Sequence, residues 1–204
     1  MNWLAHVFLS KNDIEHQLGN LLTDPLKARA WEDASERIIQ GMDTHKRIDM
    51  YTDSHPIVLR SKAHLVKRGH LKGVVLDILY DYYLSIHWKK FSDIKRVDFL
   101  ETFHAEALKT IVHYPNKPRV IIERVVETGQ LSSYNSMNGV EAALVRIDKR
   151  LSDRAQSKDT AIRYLPIIIK ENEYLEESFL DFFPELMIEI AKNLPKDSIK
   201  HWKI

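Results

Sequence analysis

The stretch that decides the fold is VVLDILYDYYL, residues 74–84, an apolar run interrupted only by Asp77 and Asp81. Apolar side chains cover almost the whole circumference of this helical segment, which is typical of a helix at the centre of a domain. An ionised carboxylate buried there without a partner costs on the order of several kcal/mol. We therefore expect both aspartates to be paired or to bind a metal ion.

Two other apolar helical segments contain the same kind of interruption. His45 and Asp49 lie four residues apart in MDTHKRIDM, residues 42–50, so both face the side of the helix that carries its apolar residues. His6 interrupts NWLAHVFL, residues 2–9, in the same way. Together these residues predict a polar site lined by helices.

Composition predicts an all-α, single-domain helical bundle over residues 1–204. The chain has 204 residues, enough to bury a sizeable core in one domain. It has only 6 Gly and 7 Pro, with 44% hydrophobic and 29% charged residues. The absence of cysteine excludes thiolate metal sites, disulfides and cysteine nucleophiles.

Apolar spacing predicts helices along nearly the whole chain. The only β-rich runs, VIIERVV and PIIIK, are short. Breaks or kinks are expected at Pro166 and Pro184. The predicted helices span residues 2–9, 13–30, 34–51, 56–69, 72–90, 98–113, 118–129, 136–151 and 160–194.

The chain shows no sign of a membrane or secretory segment. No run approaches the roughly 18 apolar residues that a membrane span needs, and the N-terminal apolar stretch lacks a cationic flank and contains His6. We expect a cytoplasmic protein that does not contact a membrane.

Charge is distributed unevenly although the net charge is only +1. Residues 54–76 contain no acidic side chain but several basic ones, including Arg60, Lys67 and Arg68. This pattern is compatible with an ordinary solvated helix face, or with a surface that attracts an acidic partner. Nucleic acid is not expected, because the chain as a whole is nearly neutral.

Four motifs in order give the chain a recognisable identity at the family level. They are MNWLAH from Met1, GNLLTD from Gly19, HKRIDMYTDSHP from His45 and LDILYDYYLSIHW from Leu76. This series resembles the acyl carrier protein phosphodiesterase family, also called acyl carrier protein hydrolases. The resemblance continues more loosely through SYNSMNGVEAALVRIDKRLS to FPELM near the end.

The resemblance implies a metal-dependent hydrolase, all-helical and distantly similar to HD-type phosphohydrolases, that prefers Mn²⁺ or Mg²⁺. Such enzymes hydrolyse the phosphodiester that joins 4′-phosphopantetheine to a serine of holo-acyl carrier protein, releasing the apo carrier. Carrier proteins of this kind are acidic, so the basic residues Arg60, Lys67 and Arg68 are the expected docking surface.

The same resemblance assigns roles to the motif residues. Arg47 is suited to hold phosphate oxygens, because a planar guanidinium donates paired hydrogen bonds. Asp49 or Asp77 would orient a ligand histidine or accept a proton from water, and Asn20 is expected at the substrate. Hard divalent cations take carboxylate oxygen, and manganese also takes imidazole nitrogen. The expected metal ligands are His6, Asp24, His45 and Asp81.

Other roles remain open for these residues. His6 alone would fit a core histidine, Asp24 a helix cap, and Arg47 with Asp49 a structural ion pair. The family usually has Asp-His-Phe-Leu where this chain has Asp81-Tyr82-Tyr83-Leu84. Tyr82 therefore keeps a non-catalytic, carrier-binding homologue in play, and a phosphohydrolase acting on a small-molecule or nucleotide phosphodiester is a further alternative.

Overall fold

The structure is a computed structural model that describes all residues, 1–204, and every regular element in it is helical. The twelve α-helices are α1 (Trp3–Phe8), α2 (Ile14–Leu22), α3 (Glu36–Ser54), α4 (Pro56–Leu65), α5 (Lys72–Ile86), α6 (Trp88–Phe91), α7 (Arg96–Thr110), α8 (Asn116–Glu127), α9 (Met137–Asp148), α10 (Asp153–Gln156), α11 (Leu165–Lys170) and α12 (Asn172–Ala191). Four short 3₁₀ turns complete the chain: Ile111–His113, Gln130–Ser132, Ile162–Tyr164 and Lys196–Ile199. The all-α prediction is confirmed, and the two β-rich runs lie in α8 and α11. None of the helices combines the length and apolar character needed to cross a membrane.

Two predicted helices are shorter than the apolar spacing indicates. The helix predicted over 13–30 ends at Leu22, because Asp24 precedes Pro25 and a residue before proline is disfavoured in the helical conformation. The segment predicted as helical over 160–194, with breaks or kinks at Pro166 and Pro184, is divided into a 3₁₀ turn, α11 and α12, and the break between α11 and α12 falls at Glu171. Pro166 lies in the first turn of α11, where its missing N–H is not needed, whereas Pro184 lies inside α12.

The core is built around α5 and α12. Tyr80 and Tyr83 of α5 are fully buried, and so are Phe179 and Phe182 of α12. The Tyr80 ring lies 5.3 Å from Phe179 and 5.8 Å from Phe182, in the range of favourable aromatic pairs. Burying each of these side chains contributes about 1.5–3 kcal/mol to folding. This rigid centre confirms that α5 is the central helix.

Asp81 of α5 holds the first turn of α1. Its Oδ2 accepts a hydrogen bond from the Leu4 N–H (2.8 Å) and its Oδ1 from the Ala5 N–H (3.0 Å). Asn2, the residue that precedes α1, caps none of these N–H groups with its side chain, so Asp81 supplies the cap. Burial raises the pKa of Asp81 to about 7, and the two N–H groups oppose that shift.

This geometry is against the prediction that Asp81 binds a metal ion. Both of its carboxylate oxygens are engaged by the backbone of α1, and the side chain is fully buried. The sequence correctly indicates that the buried charge needs a partner. The partner is the N-terminus of a helix, where unpaired N–H groups and the helix dipole favour an anion.

Helices α2 and α3 touch backbone to backbone. A Cβ on Gly19 would overlap the carbonyl oxygen of Ile38, and a Cβ on Gly41 would overlap the carbonyl oxygen of His16. Both overlaps involve main-chain atoms, which cannot move aside as a side-chain end can. This close crossing places Asn20 of α2 against His45 of α3, and both residues belong to the site described below.

We expect Gly41→Ala to lower the free energy of unfolding by about 3 kcal/mol, since the new methyl group forces α2 and α3 apart. Urea denaturation monitored by circular dichroism measures the change. Gly73→Ala is the matched control, because only a Lys62 side-chain carbon at 3.9 Å lies near a Cβ there. That substitution should be neutral or stabilising by up to about 1 kcal/mol. Equal effects of the two substitutions would contradict the close crossing.

Candidate metal centre and adjoining cavity

Three side chains from two helices form a compact group of ligand atoms. His6 of α1 and His45 of α3 stack with ring centroids 3.9 Å apart and planes inclined by 12°. Asp49 lies at the edge of both rings, with Oδ1 3.2 Å from His6 Nε2 and Oδ2 3.0 Å from His45 Nε2. The three ligand atoms lie within 4.8 Å of one another.

A chain of hydrogen bonds fixes the proton position on His6. The Ser10 hydroxyl donates to the His6 carbonyl oxygen, so Ser10 Oγ accepts the hydrogen bond from Asn20 Nδ2 (2.9 Å). The amide oxygen of Asn20 consequently faces His6 Nδ1 at 2.8 Å, which requires that Nδ1 carry a proton. Neutral His6 therefore has its lone pair on Nε2, which lies 3.2 Å from Asp49 Oδ1 and 3.1 Å from the Met1 carbonyl oxygen.

His45 is oriented in the same way by the same residue. Its Nδ1 donates to the backbone carbonyl oxygen of Asn20 at 2.8 Å. Its Nε2 is buried and makes no hydrogen bond of acceptable geometry, although carboxylates lie close by. Histidines that bind metals are held through the other ring nitrogen in this manner, so that the free nitrogen is aimed at the ion.

Two further aspartates extend the negative charge of the group. Asp24, in the turn after α2, lies 3.3 Å from His45 Nε2, and Asp77 of α5 lies 3.3 Å from the amino nitrogen of Met1. That amino group is buried between Asp77 and Asp49. Burial lowers the pKa of the Met1 amine, but the two carboxylates outweigh this effect and raise it to about 10.

The carboxylates also set the protonation of His45. Burial alone would lower its pKa, but Asp24 and Asp49 raise it to about 9. Burial works against the charge of Asp49, yet contacts with His45 and His6 hold its pKa well below the usual range. The pKa of Asp24 is also lowered, chiefly by His45. A protonated His45 and the Met1 ammonium thus balance the carboxylates with two positive charges.

This donor set fits a divalent cation. Once His45 releases its proton, the two Nε2 atoms offer lone pairs, and with the neighbouring carboxylate oxygens they suit Mn²⁺ and related ions. Adjacent ligands of an octahedral ion at about 2.1 Å are about 3 Å apart, close to the 3.0 Å and 3.2 Å separations between Asp49 and the two histidines. A divalent ion would supply the same charge as His45 and the amine together.

A cavity of about 230 Å³ opens beside the group. Asp24 and Asp77 line it on the side of the ligand group, and Arg146 of α9 and Arg150, in the turn after α9, line it as well. A larger groove of about 800 Å³, between the end of α5 and the start of α7, contains none of the clustered histidines and aspartates. The smaller cavity reaches the ligand group through Asp24 and Asp77, whereas His6, His45 and Asp49 lie behind its wall, so it is the cavity that a substrate of this site would enter.

Arg47 and Asn20 do not contact the cavity. Arg47 lies two residues from both His45 and Asp49, which turns it to the opposite side of α3, where its charge acts on His16. Asn20 is fully buried, and its side chain bonds only His6 and Ser10. The geometry is thus against the predicted phosphate contact of Arg47 and the predicted substrate contact of Asn20, which instead positions both histidines.

The predicted docking residues lie on the surface. Arg60 of α4 and Lys67 and Arg68 of the loop after α4 are all exposed. None of the three forms an ion pair, whereas Lys62 of the same segment pairs with Asp53. Their charges are therefore free for an external partner.

The comparison with known proteins agrees with these features. The family described as acyl carrier protein phosphodiesterase matches residues 1–186. The chain belongs to the acyl carrier protein phosphodiesterase family. Relatives of that name include a protein of Enterobacter sp. (strain 638), 27% identical over 95% of this chain and 98% of its own length, and one of Yersinia pestis, 24% identical over 92% and 96%. No solved structure matches the chain, and the distant similarity to HD-type phosphohydrolases stays a prediction.

Tyr82, which differs from the usual family residue, lies away from the ligand group. It follows Asp81 on α5, packs beside Tyr83 with ring centroids 5.4 Å apart, and faces Glu176 of α12. It contributes no atom to the group of His6, His45 and Asp49 or to the lining of the cavity. Tyr82 therefore takes no part in this candidate ligand group.

Three cavity residues were not singled out from the sequence for such a role: Arg146, Arg150 and Gln130. A signal for the arginines exists in LVRIDKRL, residues 144–151, where they are four apart and share one helix face. Many exposed helices have that spacing. Only the packing of α9 beside α5 distinguishes this pair.

We expect Asp49→Asn to weaken Mn²⁺ binding at least tenfold, because the amide loses the charge that both histidines face. Isothermal titration calorimetry on the purified protein measures the affinity. Asp43→Asn removes the same charge from an exposed position of α3 and should leave the affinity unchanged. Mn²⁺ at about 100 times its dissociation constant should stabilise the unchanged protein by about 2.7 kcal/mol. Equal Mn²⁺ affinity in the two variants would contradict the assignment.

Proposed function

We propose that this protein is a metal-dependent phosphodiesterase that hydrolyses 4′-phosphopantetheine from holo-acyl carrier protein, leaving the apo carrier. Family membership supports the substrate. The observation that carries the proposal is the pair of buried Nε2 atoms of His6 and His45, which face one carboxylate beside a cavity open to a substrate. Such a donor set has a clear use in phosphoryl chemistry and little use in holding a core together.

His6, His45 and Asp49 would hold the ion, with Asp24 as a further ligand at the cavity. When bound, Mn²⁺ or Mg²⁺ polarises phosphoryl oxygens and lowers the pKa of a water molecule. Asp77 faces the cavity from α5 and makes no contact with either histidine, so it is the residue suited to accept the proton of the attacking water. Asn20 keeps both ligand histidines in the orientation that exposes Nε2.

The basic segment offers a dock for an acidic carrier. Arg60, Lys67 and Arg68 are exposed and have no internal partner. Their segment leads directly into α5, where Val74 begins the cavity wall two residues after Lys72. A carrier held there by charge complementarity would have its prosthetic group close to the cavity.

The volume of the cavity keeps a second candidate open. A site of about 230 Å³ would also accept a small-molecule or nucleotide phosphodiester, with the same residues acting and no protein partner. Higher activity on such compounds than on holo-carrier would favour that reading. The third reading, a carrier-binding homologue without turnover, loses its main motive because Tyr82 lies outside the ligand group.

We expect purified holo-acyl carrier protein, incubated with this protein and Mn²⁺, to lose the mass of 4′-phosphopantetheine. Intact-mass spectrometry follows the loss. A chelator and the Asp49→Asn variant should each abolish it, and Asp77→Asn should slow it while Mn²⁺ binding persists. Asp43→Asn is the matched control and should act at the normal rate. An intact holo-carrier after incubation with metal-loaded protein would refute the proposed function.

Charge reversal at Arg60, Lys67 and Arg68 should weaken carrier binding by at least tenfold at low ionic strength, since three favourable charge contacts become repulsive. Affinity measured across a salt series should also lose most of its salt dependence. Reversal of Lys109, Lys158 and Lys196, which are exposed outside the basic segment, is the control. Unchanged affinity in the first triple variant would exclude this surface as the dock.

A further inference from the structure

Three hydrogen-bond donors that face the cavity have no partner within the protein. Arg146 and Arg150 form no ion pair and no side-chain hydrogen bond, unlike Arg163, whose Nε lies 2.7 Å from Asp159. Asn2, which lines the same cavity, has a buried amide nitrogen without a partner. The Asn2 amide nitrogen is buried, and buried donors are normally satisfied, so this one indicates a ligand at the cavity that accepts hydrogen bonds. Arg146 is half-buried and Arg150 is exposed, so both guanidinium groups are accessible to such a ligand.

The carboxylates nearest to the arginines leave them free. Asp148 lies between Arg146 and Arg150 in sequence, but its two oxygens accept hydrogen bonds from the backbone N–H groups of Ala161 (2.6 Å) and Ile162 (3.0 Å). Asp24 and Asp77 line the same cavity, yet neither lies within ion-pairing distance of a guanidinium. The cavity thus holds separate acidic and basic groups with space between them.

We propose that Arg146, Arg150 and Asn2 form the subsite that binds the phosphate of the substrate, between α9 and the metal ligands. The inference rests on the proposed function and gives a role to residues that the sequence analysis did not assign to the substrate. Arg146 at the end of α9 and Arg150 in the turn that follows line the same cavity of about 230 Å³, so both guanidinium groups can reach one anion there. Their planar donors suit phosphate oxygens, and the Asn2 amide adds a neutral donor.

An anion placed there would compensate the unpaired positive charge of the two arginines and would also contact the bound cation. Phosphate oxygens would meet the guanidinium groups on one side and the cation held by His6, His45 and Asp49 on the other. Without the arginines, the phosphate would approach Asp24 and Asp77 with one source of positive charge only. The phosphate contact predicted for Arg47 is thereby assigned to Arg146 and Arg150, about one hundred residues later in the chain.

The remaining walls suit the organic part of the substrate. Val74 and Ile78 of α5 and Ala143 and Ile147 of α9 give the cavity apolar sides, and Gln130 adds one polar group. Small-molecule sites typically measure about 300–1,000 Å³, so this cavity of about 230 Å³ encloses the phosphate and the adjoining section of the pantetheine arm. Because the carrier serine is attached at the phosphate, the carrier would lie at the mouth of the cavity, and the thiol end of the arm would extend away from the carrier.

The test uses the full chain loaded with Mn²⁺ and titrated calorimetrically with inorganic phosphate and with 4′-phosphopantetheine. Arg146→Ala and Arg150→Ala should each weaken both ligands by about 10–100-fold, the usual effect of losing a charge-assisted hydrogen bond. Arg146→Lys keeps the charge without the planar donors and should give an intermediate loss. Lys149→Ala removes a neighbouring charge outside the cavity and is the matched control.

Two further readouts separate phosphate binding from a structural role. Mn²⁺ affinity should be unchanged in all arginine variants, and in turnover of holo-carrier the variants should show a raised KM or a lowered kcat that Lys149→Ala lacks. Arginine variants that bind both ligands as tightly as the Lys149→Ala control would overturn the subsite, even if holo-carrier is cleaved. Arginine-dependent phosphate binding without cleavage of holo-carrier would support the subsite and refute the proposed function.

Discussion

The contact between Asp81 and the first turn of α1 is the interaction on which the site depends. It joins α1 to the central helix through two hydrogen bonds from the backbone of Leu4 and Ala5. His6 follows directly in the same helix, so the two hydrogen bonds that hold α1 also fix the position of the His6 side chain. A carboxylate buried among aromatic side chains would destabilise the fold if α1 did not supply its N–H groups, and α1 would lack a cap if Asp81 were absent.

The rest of the site brings three carboxylates, which repel one another, close together. Asp49 and Asp24 both lie close to His45 Nε2, and Asp49 and Asp77 both lie close to the Met1 amine. The Nε2 atoms of His6 and His45 both lie close to the Asp49 carboxylate. Such an arrangement is stable only when positive charge is present, here on His45 and the Met1 amine. Groups that serve packing alone would not converge in this way, and perturbed pKa values of this kind cluster at functional sites.

The close crossing of α2 and α3 positions both histidines of the ligand group. Because Gly19 and Gly41 let the two backbones touch, a single residue, Asn20, reaches both histidines, one through its side chain and one through its carbonyl oxygen. Its role as a positioning residue explains why an amide lies in the motif GNLLTD without contacting the cavity. Ligand histidines depend on such partners for their tautomer.

Much of the fold followed from the sequence alone. Apolar spacing predicted an all-α chain with α5 at its centre, because the buried face of a helix is marked by apolar residues three to four positions apart in the local sequence. The boundaries near Pro25 and Pro166 were less accurate, because a local turn competes there with a continuing apolar pattern. The same local patterns identified His6, His45 and Asp49, whose types and spacing are unusual in apolar helices.

The sequence by itself therefore indicated His6, His45 and Asp49 as candidate site residues, and the tertiary structure decided which candidate residues meet. Asp81 contacts a helix N-terminus 77 residues away in sequence, rather than a metal ligand. Arg47 faces away from the site, and Arg146 and Arg150 lie at it. The physical reason is that spacing along one helix fixes only the direction of a side chain relative to that helix. Its partners depend on how distant helices pack, and that information is contained in the core as a whole.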